Sequence, residues 1–121
     1  MRYVILRHQT PPGHARGLHW DLMLEAGDTL WTWALPEEPA PGKRLTAQRL
    51  PDHRLAYLDY EGVISDGRGV VARCDAGTFA LRSASDAEVV AEVADGKLRG
   101  RMRLTRDAAD VQRWEVVFGP D

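Results

Sequence analysis

Strict alternation of residue character runs through the segment Leu18-His19-Trp20-Asp21-Leu22-Met23-Leu24-Glu25. One face carries His19, Asp21, Met23 and Glu25, and the other carries Trp20, Leu22 and Leu24. A period of two is typical of a β-strand, so the segment predicts a strand whose apolar face points toward a core. Gly27-Asp28 predicts a turn, and residues 29–35 predict the second strand of a β-hairpin.

Short strand candidates, separated by glycine-containing turns, occupy most of the remaining sequence. They are Tyr3 to His8, Val63-Ile64, Val70 to Cys74, Thr78 to Arg82, Glu88 to Val93, Lys97 to Leu104 and Trp114 to Phe118. Residues 36–42 predict a surface loop, residues 46–58 fit either a helical turn or an irregular segment, and Arg106 to Arg113 predicts a helix. The pattern predicts a mainly β fold, a small closed antiparallel β-barrel with one or two short flanking helices.

Composition predicts one globular domain over residues 1–121, because 44% of the residues are hydrophobic and 28% are charged. Cys74 is the single cysteine, which excludes an intrachain disulfide and gives secretion no support. No apolar run approaches the ~20 residues that span a bilayer, so we expect no membrane partner. We also expect a monomer and, by default, a cytoplasmic location. The net charge of −2 gives only weak support to DNA as a partner.

The His19-Trp20-Asp21 motif is the sharpest local indication of chemistry. Residues two apart on a strand project the same way, so this imidazole and carboxylate can reach one ion. His8 is the natural third ligand, and two histidines with one carboxylate suit manganese, iron or zinc. Alternation also places His8 on the same face of its strand as the apolar residues Val4 and Leu6. We therefore expect a strand end or a bulge to turn the His8 side chain toward His19 and Asp21. The alternative is a hydrogen-bonded surface pair of His19 and Asp21 without a metal.

Several other polar and aromatic residues have two interpretations. His53 could ligate a metal, bind an anionic oxygen or transfer a proton, or it is an exposed loop histidine, as we interpret His14. The alternating cations Lys97, Arg99, Arg101 and Arg103 suit phosphates in principle, but a solvated face of an edge strand is the favoured interpretation. Trp31 and Trp33 are interpreted as core residues.

A series of short motifs extends between Tyr3 and Arg106. They are Arg7-His8, residues 18–25, Leu30 to Pro36, Lys43-Arg44-Leu45, Asp52-His53, Tyr57, Tyr60 to Ile64 and Gly67 to Gly77. Each motif alone is weak, but their common order over nearly the whole chain is specific. In order and spacing they resemble the 3′-phosphoesterase domain of bacterial DNA ligase D.

This resemblance implies a manganese-dependent enzyme, with zinc or another transition metal as the alternative, that trims 3′ ends of DNA or primer strands. Such domains remove a phosphate or a terminal ribonucleotide. By position, His8, His19 and Asp21 match the metal ligands. His53 and Tyr57 match groups that hold the reacting phosphate, and Arg44 matches a basic residue required near it. The resemblance also implies a ligase or polymerase partner in end repair.

Two departures from the family pattern affect the expected phosphate contacts. Met23 stands where the family places an arginine on the phosphate, and Glu37 stands where it has a lysine. Arg16 or Arg54 could replace a missing cation from a loop. Loss of a bidentate arginine is not a conservative change, so metal binding is expected to survive these departures better than catalysis does.

Three hypotheses follow from the sequence. The leading one is a metal-dependent phosphoesterase acting on 3′-phosphate or 3′-ribonucleotide ends, or on a related phosphate ester. The second is a non-catalytic metal-binding relative that lost activity with the changes at Met23 and Glu37. The third is a cupin-like iron(II) oxygenase in which His53 completes the metal site with His19 and Asp21, whereas the phosphoesterase requires His8.

Overall fold

The computed structural model describes residues 1–14 and 16–119. Strands make up most of this described part, and all strand pairs are antiparallel. The elements are β1 (Arg2–Gln9), β2 (His19–Ala26), β3 (Thr29–Leu35), β4 (Arg44–Arg54), a 3-10 helix (Leu55–Leu58), β5 (Gly62–Ile64), β6 (Gly69–Ala84), β7 (Glu88–Val93), β8 (Gly100–Arg106) and β9 (Arg113–Phe118). The predicted hairpin of residues 18–35 is confirmed as β2 and β3.

The strands form one sheet that closes on itself. Its order is β1-β2-β3-β4-β9-β8-β7-β6, and pairing of β1 with β6 completes a ring, to which β5 adds at the start of β6. Register shifts interrupt β1–β6, β3–β4 and β6–β7, so the ring is less regular than a strict barrel. The predicted closed antiparallel β fold is confirmed.

The predicted helix over Arg106 to Arg113 is wrong. The Asp107 carboxylate accepts hydrogen bonds from the backbone N–H groups of Ala109, at 2.8 Å, and Asp110, at 3.1 Å. Such local side-chain bonds compete with helical ones, and the chain turns here to enter β9. Within residues 1–14 and 16–119, no helix has the length and apolar character that a membrane crossing requires.

Apolar residues form two separate clusters, one on each face of β1 and β2. The larger cluster fills the ring and includes Tyr3, Ile5, Leu22, Leu24, Trp33, Met102, Leu104, Trp114 and Phe118. The second lies outside the ring and contains Val4, Leu6, Met23, Leu30, Leu58, Ile64 and Val71. The 3-10 helix and β5 contribute Leu58 and Ile64, so they cover this outer face.

The core assignment of the two hairpin tryptophans is confirmed, since Trp33 is fully buried and Trp31 packs against the same cluster. The cationic stripe faces solvent as expected, but β8 lies between β7 and β9 and is not an edge strand. Arg101 pairs with Glu92 at 3.2 Å and Arg103 with Glu88 at 3.3 Å, so neighbouring carboxylates partly neutralise this face.

Candidate metal centre

The register of β1 with β2 brings the predicted ligands together. His8 lies opposite His19, and Asp21 lies opposite Leu6, two residues further along β2. One potential ligand atom from each of His8, His19 and Asp21 lies within 4.8 Å of the other two.

The expectation that a strand end or bulge must turn His8 away from Val4 and Leu6 is wrong. Those residues belong to the outer cluster, so their face is the face of His19 and Asp21. Ordinary alternation along β1, whose register with β2 is continuous from Tyr3 to His8, therefore brings His8 to the site.

The Asp21 carboxylate lies between the two imidazoles. Its Oδ2 is 3.0 Å from His8 Nδ1, and its Oδ1 is 3.1 Å from His19 Nε2. The two imidazole ring centroids are 4.5 Å apart. Asp21 and His19 are only 2% and 4% exposed, so the group lies in a nearly dry environment.

Backbone carbonyls fix the orientation of both rings. His19 Nδ1 donates to the carbonyl of Gly17 at 2.8 Å, which leaves a lone pair on Nε2 directed at Asp21. His8 Nε2 donates to the carbonyl of Arg68 at 2.7 Å, which directs Nδ1 at the same carboxylate. Carbonyl acceptors of this kind commonly orient metal-binding histidines.

The electrostatic environment keeps the carboxylate ionised. Burial alone would raise the pKa of Asp21, but interactions with His19 and His8 outweigh it and lower this pKa. The hydrogen bond to Asp21 raises the pKa of His8, and burial offsets only part of that effect. A buried anion held by two imidazoles therefore attracts a cation or a proton.

These residues fit a divalent transition metal. Asp21 Oδ1 is buried and has no hydrogen-bond partner among the described residues. With the His19 proton on Nδ1, two lone pairs would face each other across 3.1 Å, an unfavourable contact that a cation between them removes. Two imidazole nitrogens and one carboxylate are donors that manganese, iron and zinc accept.

A cavity of about 220 Å³ opens over these three side chains, and His53 and Tyr57 line it as well. The two aromatic rings pack edge to face with centroids 5.6 Å apart. His53 Nδ1 donates to the carbonyl of Pro51 at 2.8 Å, which makes Nε2 an acceptor in the neutral ring and a donor in the imidazolium form. The structure thus gathers five of the six predicted site residues in one cavity, and His53 lies outside the ligand cluster that the oxygenase hypothesis requires.

The structure does not bring Arg44, the sixth residue, to this cavity. Arg44 begins β4, whereas His53 lies near the end of this eleven-residue strand. A strand advances about 3.3 Å per residue, so nine residues separate the two by roughly 30 Å. The Arg44 guanidinium instead donates to Glu115 at 2.9 Å on the adjacent β9.

Two arginines from loops, rather than Arg44, line the cavity. Arg16, which the sequence offered as a substitute, and Arg68, which sequence reasoning missed, are both lining residues, as is His14. Arg68 lies in a glycine-rich turn, and only the pairing of β1 with β6, opposite His8 at Val71, brings that turn to the site. Arg54 lines a neighbouring cavity of about 210 Å³ together with Arg68.

The two departures from the family pattern have different surroundings. Met23 is 1% exposed, belongs to the outer cluster and lines the cavity below the site. Glu37 is exposed in the loop after β3 and pairs with Lys43 at 2.9 Å. Only the change at Met23 therefore alters the composition of this cavity.

Fold and geometry define a class: a small protein with a closed antiparallel sheet whose outer face carries a group of two histidines and one aspartate, with a third histidine and a tyrosine beside it. Within this class the chain belongs to the DNA Ligase D 3′-phosphoesterase domain family, which matches residues 12–112. The resemblance predicted from the motifs is confirmed.

Two full-length relatives illustrate this membership. The multifunctional non-homologous end joining DNA repair protein LigD of Mycobacterium tuberculosis (strain ATCC 25618 / H37Rv) is 32% identical over 121 residues, covering 93% of this chain. The multifunctional non-homologous end joining protein LigD of Pseudomonas aeruginosa is 34% identical over 133 residues, covering 100% of it. The chain spans about 15% of the length of either relative.

Proposed function

We propose that this chain is a metal-dependent phosphoesterase acting on 3′-phosphate or 3′-ribonucleotide ends of DNA or primer strands. One observation carries the proposal: His8, His19 and Asp21 converge on a cavity that His53 and Tyr57 also line. The family gives this convergence its chemical meaning, since it is described as a 3′-phosphoesterase domain.

His8, His19 and Asp21 would hold the divalent cation, with manganese as the expected ion. When bound, such an ion polarises a phosphoryl oxygen and makes a water molecule more acidic. The carbonyls of Gly17 and Arg68 orient the two rings. Burial of Asp21 keeps competing water away from the carboxylate.

The remaining polar residues of the cavity would bind the phosphate. Tyr57 presents a hydroxyl that can donate to a phosphoryl oxygen. His53 presents Nε2, which donates to such an oxygen when the ring is an imidazolium cation, because Nδ1 already donates to Pro51. Arg16 and Arg68 line the same cavity and supply the positive charge that Met23 does not. Fixed donors and cations of this kind stabilise the charge that develops on phosphoryl oxygens during transfer.

The relatives are named as non-homologous end joining proteins, and this chain corresponds to about 15% of their length. We therefore infer that it acts in end repair beside ligase or polymerase activities on the same or another polypeptide. Trimming a blocked 3′ end would precede strand joining in that setting.

The test is turnover of a 3′-phosphorylated primer by manganese-loaded protein, followed as release of inorganic phosphate. His8→Ala is expected to abolish both turnover and manganese binding by calorimetry. Gln9→Ala, on the opposite side of β1, is the matched control and should retain both. If neither 3′-ended primers nor small phosphate esters are hydrolysed by metal-loaded protein, the enzyme proposal is refuted.

A non-catalytic metal-binding relative is the second candidate, and the burial of Met23 in the outer cluster favours it. The double variant Met23→Arg with Glu37→Lys discriminates between the two. If the unaltered chain shows no turnover and the double variant does, the unaltered chain is a relative that has lost its activity. Measurable turnover of the unaltered chain would exclude this second candidate.

A further inference from the structure

A larger cavity, of about 440 Å³, adjoins the candidate metal centre and shares His19 and Arg16 with it. We call it the side groove. Its other lining residues are Leu18, Ala34, Leu35, Pro36, Thr46, Ala47, Gln48, Asp110, Gln112 and Arg113. A volume of this size is within the range of small-molecule sites, so the groove can admit a group as large as a nucleoside.

The register of four strands leads from the metal centre along this groove. Asp21 lies opposite Ala34, Ala34 opposite Gln48, and Gln48 opposite Arg113. Directly opposed residues share one face of a sheet, and neighbouring strands are about 4.8 Å apart. Gln48 is therefore roughly 10 Å from Asp21 across the sheet. The small side chain of Ala34 leaves the space between them open.

The chemistry of the groove suits a flat heterocycle with polar edges. Leu18, Leu35 and Pro36 offer apolar surface. Gln112 offers an amide that can donate and accept, and Gln48, whose Oε1 already accepts from Arg16 at 3.4 Å, offers its amide N–H groups. The backbone fixes Gln112, because its N–H donates to Asp110 at 3.0 Å and its carbonyl accepts from Arg49 at 2.7 Å.

The cavity on the opposite side of the metal centre has a different character. Arg54, Arg68, Tyr57 and Tyr60 are among its lining residues, and it shares Arg68 and Tyr57 with the central cavity. Among the described residues, no acidic side chain lines this cavity, whereas Asp110 lines the side groove together with Arg16 and Arg113. A chain of phosphates is therefore favoured in this cavity over the side groove. The strand that keeps the phosphate is therefore expected in this cavity. The side groove is then left for the group on the other side of the scissile phosphodiester.

We propose that the side groove binds the terminal nucleoside of a phosphodiester whose phosphorus lies at the metal centre. This inference rests on the proposed phosphoesterase function and adds a specificity site to it. In the corresponding hydrolysis, the oxygen of water bonds to phosphorus and the bond to the nucleoside 5′-oxygen breaks. The proton of water passes to that oxygen, which leaves a 3′-phosphate on the strand and a free nucleoside.

The experiment compares three primers that differ only at the 3′ end: a ribonucleotide, an abasic ribose phosphodiester, and a 3′-phosphate. Thr46→Trp fills the groove from an exposed position, and Ala80→Trp, exposed on β6, is its matched control. Thr46→Trp should lower kcat/KM on the ribonucleotide end by about tenfold and leave the 3′-phosphate end within about twofold. The unaltered protein should prefer the ribonucleotide over the abasic end.

A binding measurement that needs neither metal nor turnover accompanies the kinetics. Adenosine, titrated into isotope-labelled protein, should shift the side-chain amide signals of Gln48 and Gln112, whereas ribose should not. Equal kinetics on ribonucleotide and abasic ends together with unmoved amide signals would refute the side-groove proposal and leave the phosphoesterase intact. Shifted signals without any turnover would refute the phosphoesterase and retain the nucleoside site.

Discussion

The two faces of β1 and β2 divide the molecule into a region for stability and a region for chemistry. The face inside the ring carries large apolar residues such as Tyr3, Ile5 and Leu22, which pack with Trp33 from β3. The outer face carries Val4, Leu6 and Met23, followed without a break by His8, His19 and Asp21. Both faces are buried, and the outer one places two imidazoles and a carboxylate together at the edge of its cluster.

This difference explains how so small a domain can hold a dry polar site. The ring core alone supplies most of the buried apolar residues. The outer cluster, covered by the 3-10 helix and β5, is therefore free to serve as a low-dielectric floor beneath the site. Charges near such a floor interact more strongly than charges in water do.

Truncation inside the ring should have the largest effect. Trp33 is fully buried and packs edge to face on Trp114, with centroids 5.5 Å apart. Trp33→Ala is expected to lower the free energy of unfolding by about 3–5 kcal/mol, measured by urea denaturation. A loss below about 1 kcal/mol would contradict the assignment of stability to the inner face.

Sequence patterns predicted most of the ring. Alternation in residues 18–25 and the turn at Gly27-Asp28 defined the central hairpin, because local periodicity and turn chemistry suffice there. The prediction of a helix over Arg106 to Arg113 was wrong because a single carboxylate, Asp107, organises a turn through hydrogen bonds that composition does not reveal.

Site residues were predictable from sequence where a single strand, or a match to a family motif, defined them. They were less predictable where the pairing of distant strands brings them together. His19 and Asp21 share a face by periodicity alone. The direction of His8 was misjudged because an apolar face was equated with the ring interior, whereas β1 has two buried faces. Arg68 reaches the cavity through the pairing of β1 with β6, which are about sixty residues apart in sequence.

Removing the charge at the outer face should separate metal binding from stability. Asp21→Asn keeps the size of the side chain and is expected to weaken manganese binding by about 100-fold or more, measured by calorimetry. Asp75→Asn is the matched control, since Asp75 is also buried but accepts a hydrogen bond from Tyr3 at 2.7 Å instead. The control should lose stability and keep its manganese affinity; equal affinity loss in both variants would count against the centre.

Acid should weaken manganese binding before it unfolds the ring. Ligating imidazoles must be neutral, and the raised pKa of His8 means that its proton competes with the metal at a higher pH than for an ordinary histidine. Manganese affinity should therefore fall by up to about tenfold per pH unit for each proton displaced as the pH drops below this raised pKa. Calorimetric titrations across pH 5 to 8 measure the slope (approximately flat binding would contradict imidazole ligation).

Two equivalent small truncations give the sharpest separation of the faces. Ile5 lies in the ring core, whereas Ile64 lies in the outer cluster and lines the cavity over the candidate metal centre. Ile5→Val and Ile64→Val should each lower the free energy of unfolding by about 1 kcal/mol, because each removes one buried methylene. Only Ile64→Val should alter KM for the 3′-phosphorylated primer, since only that change reshapes the cavity wall. If both variants change KM equally, the two faces are coupled and the inner core is part of the functional unit.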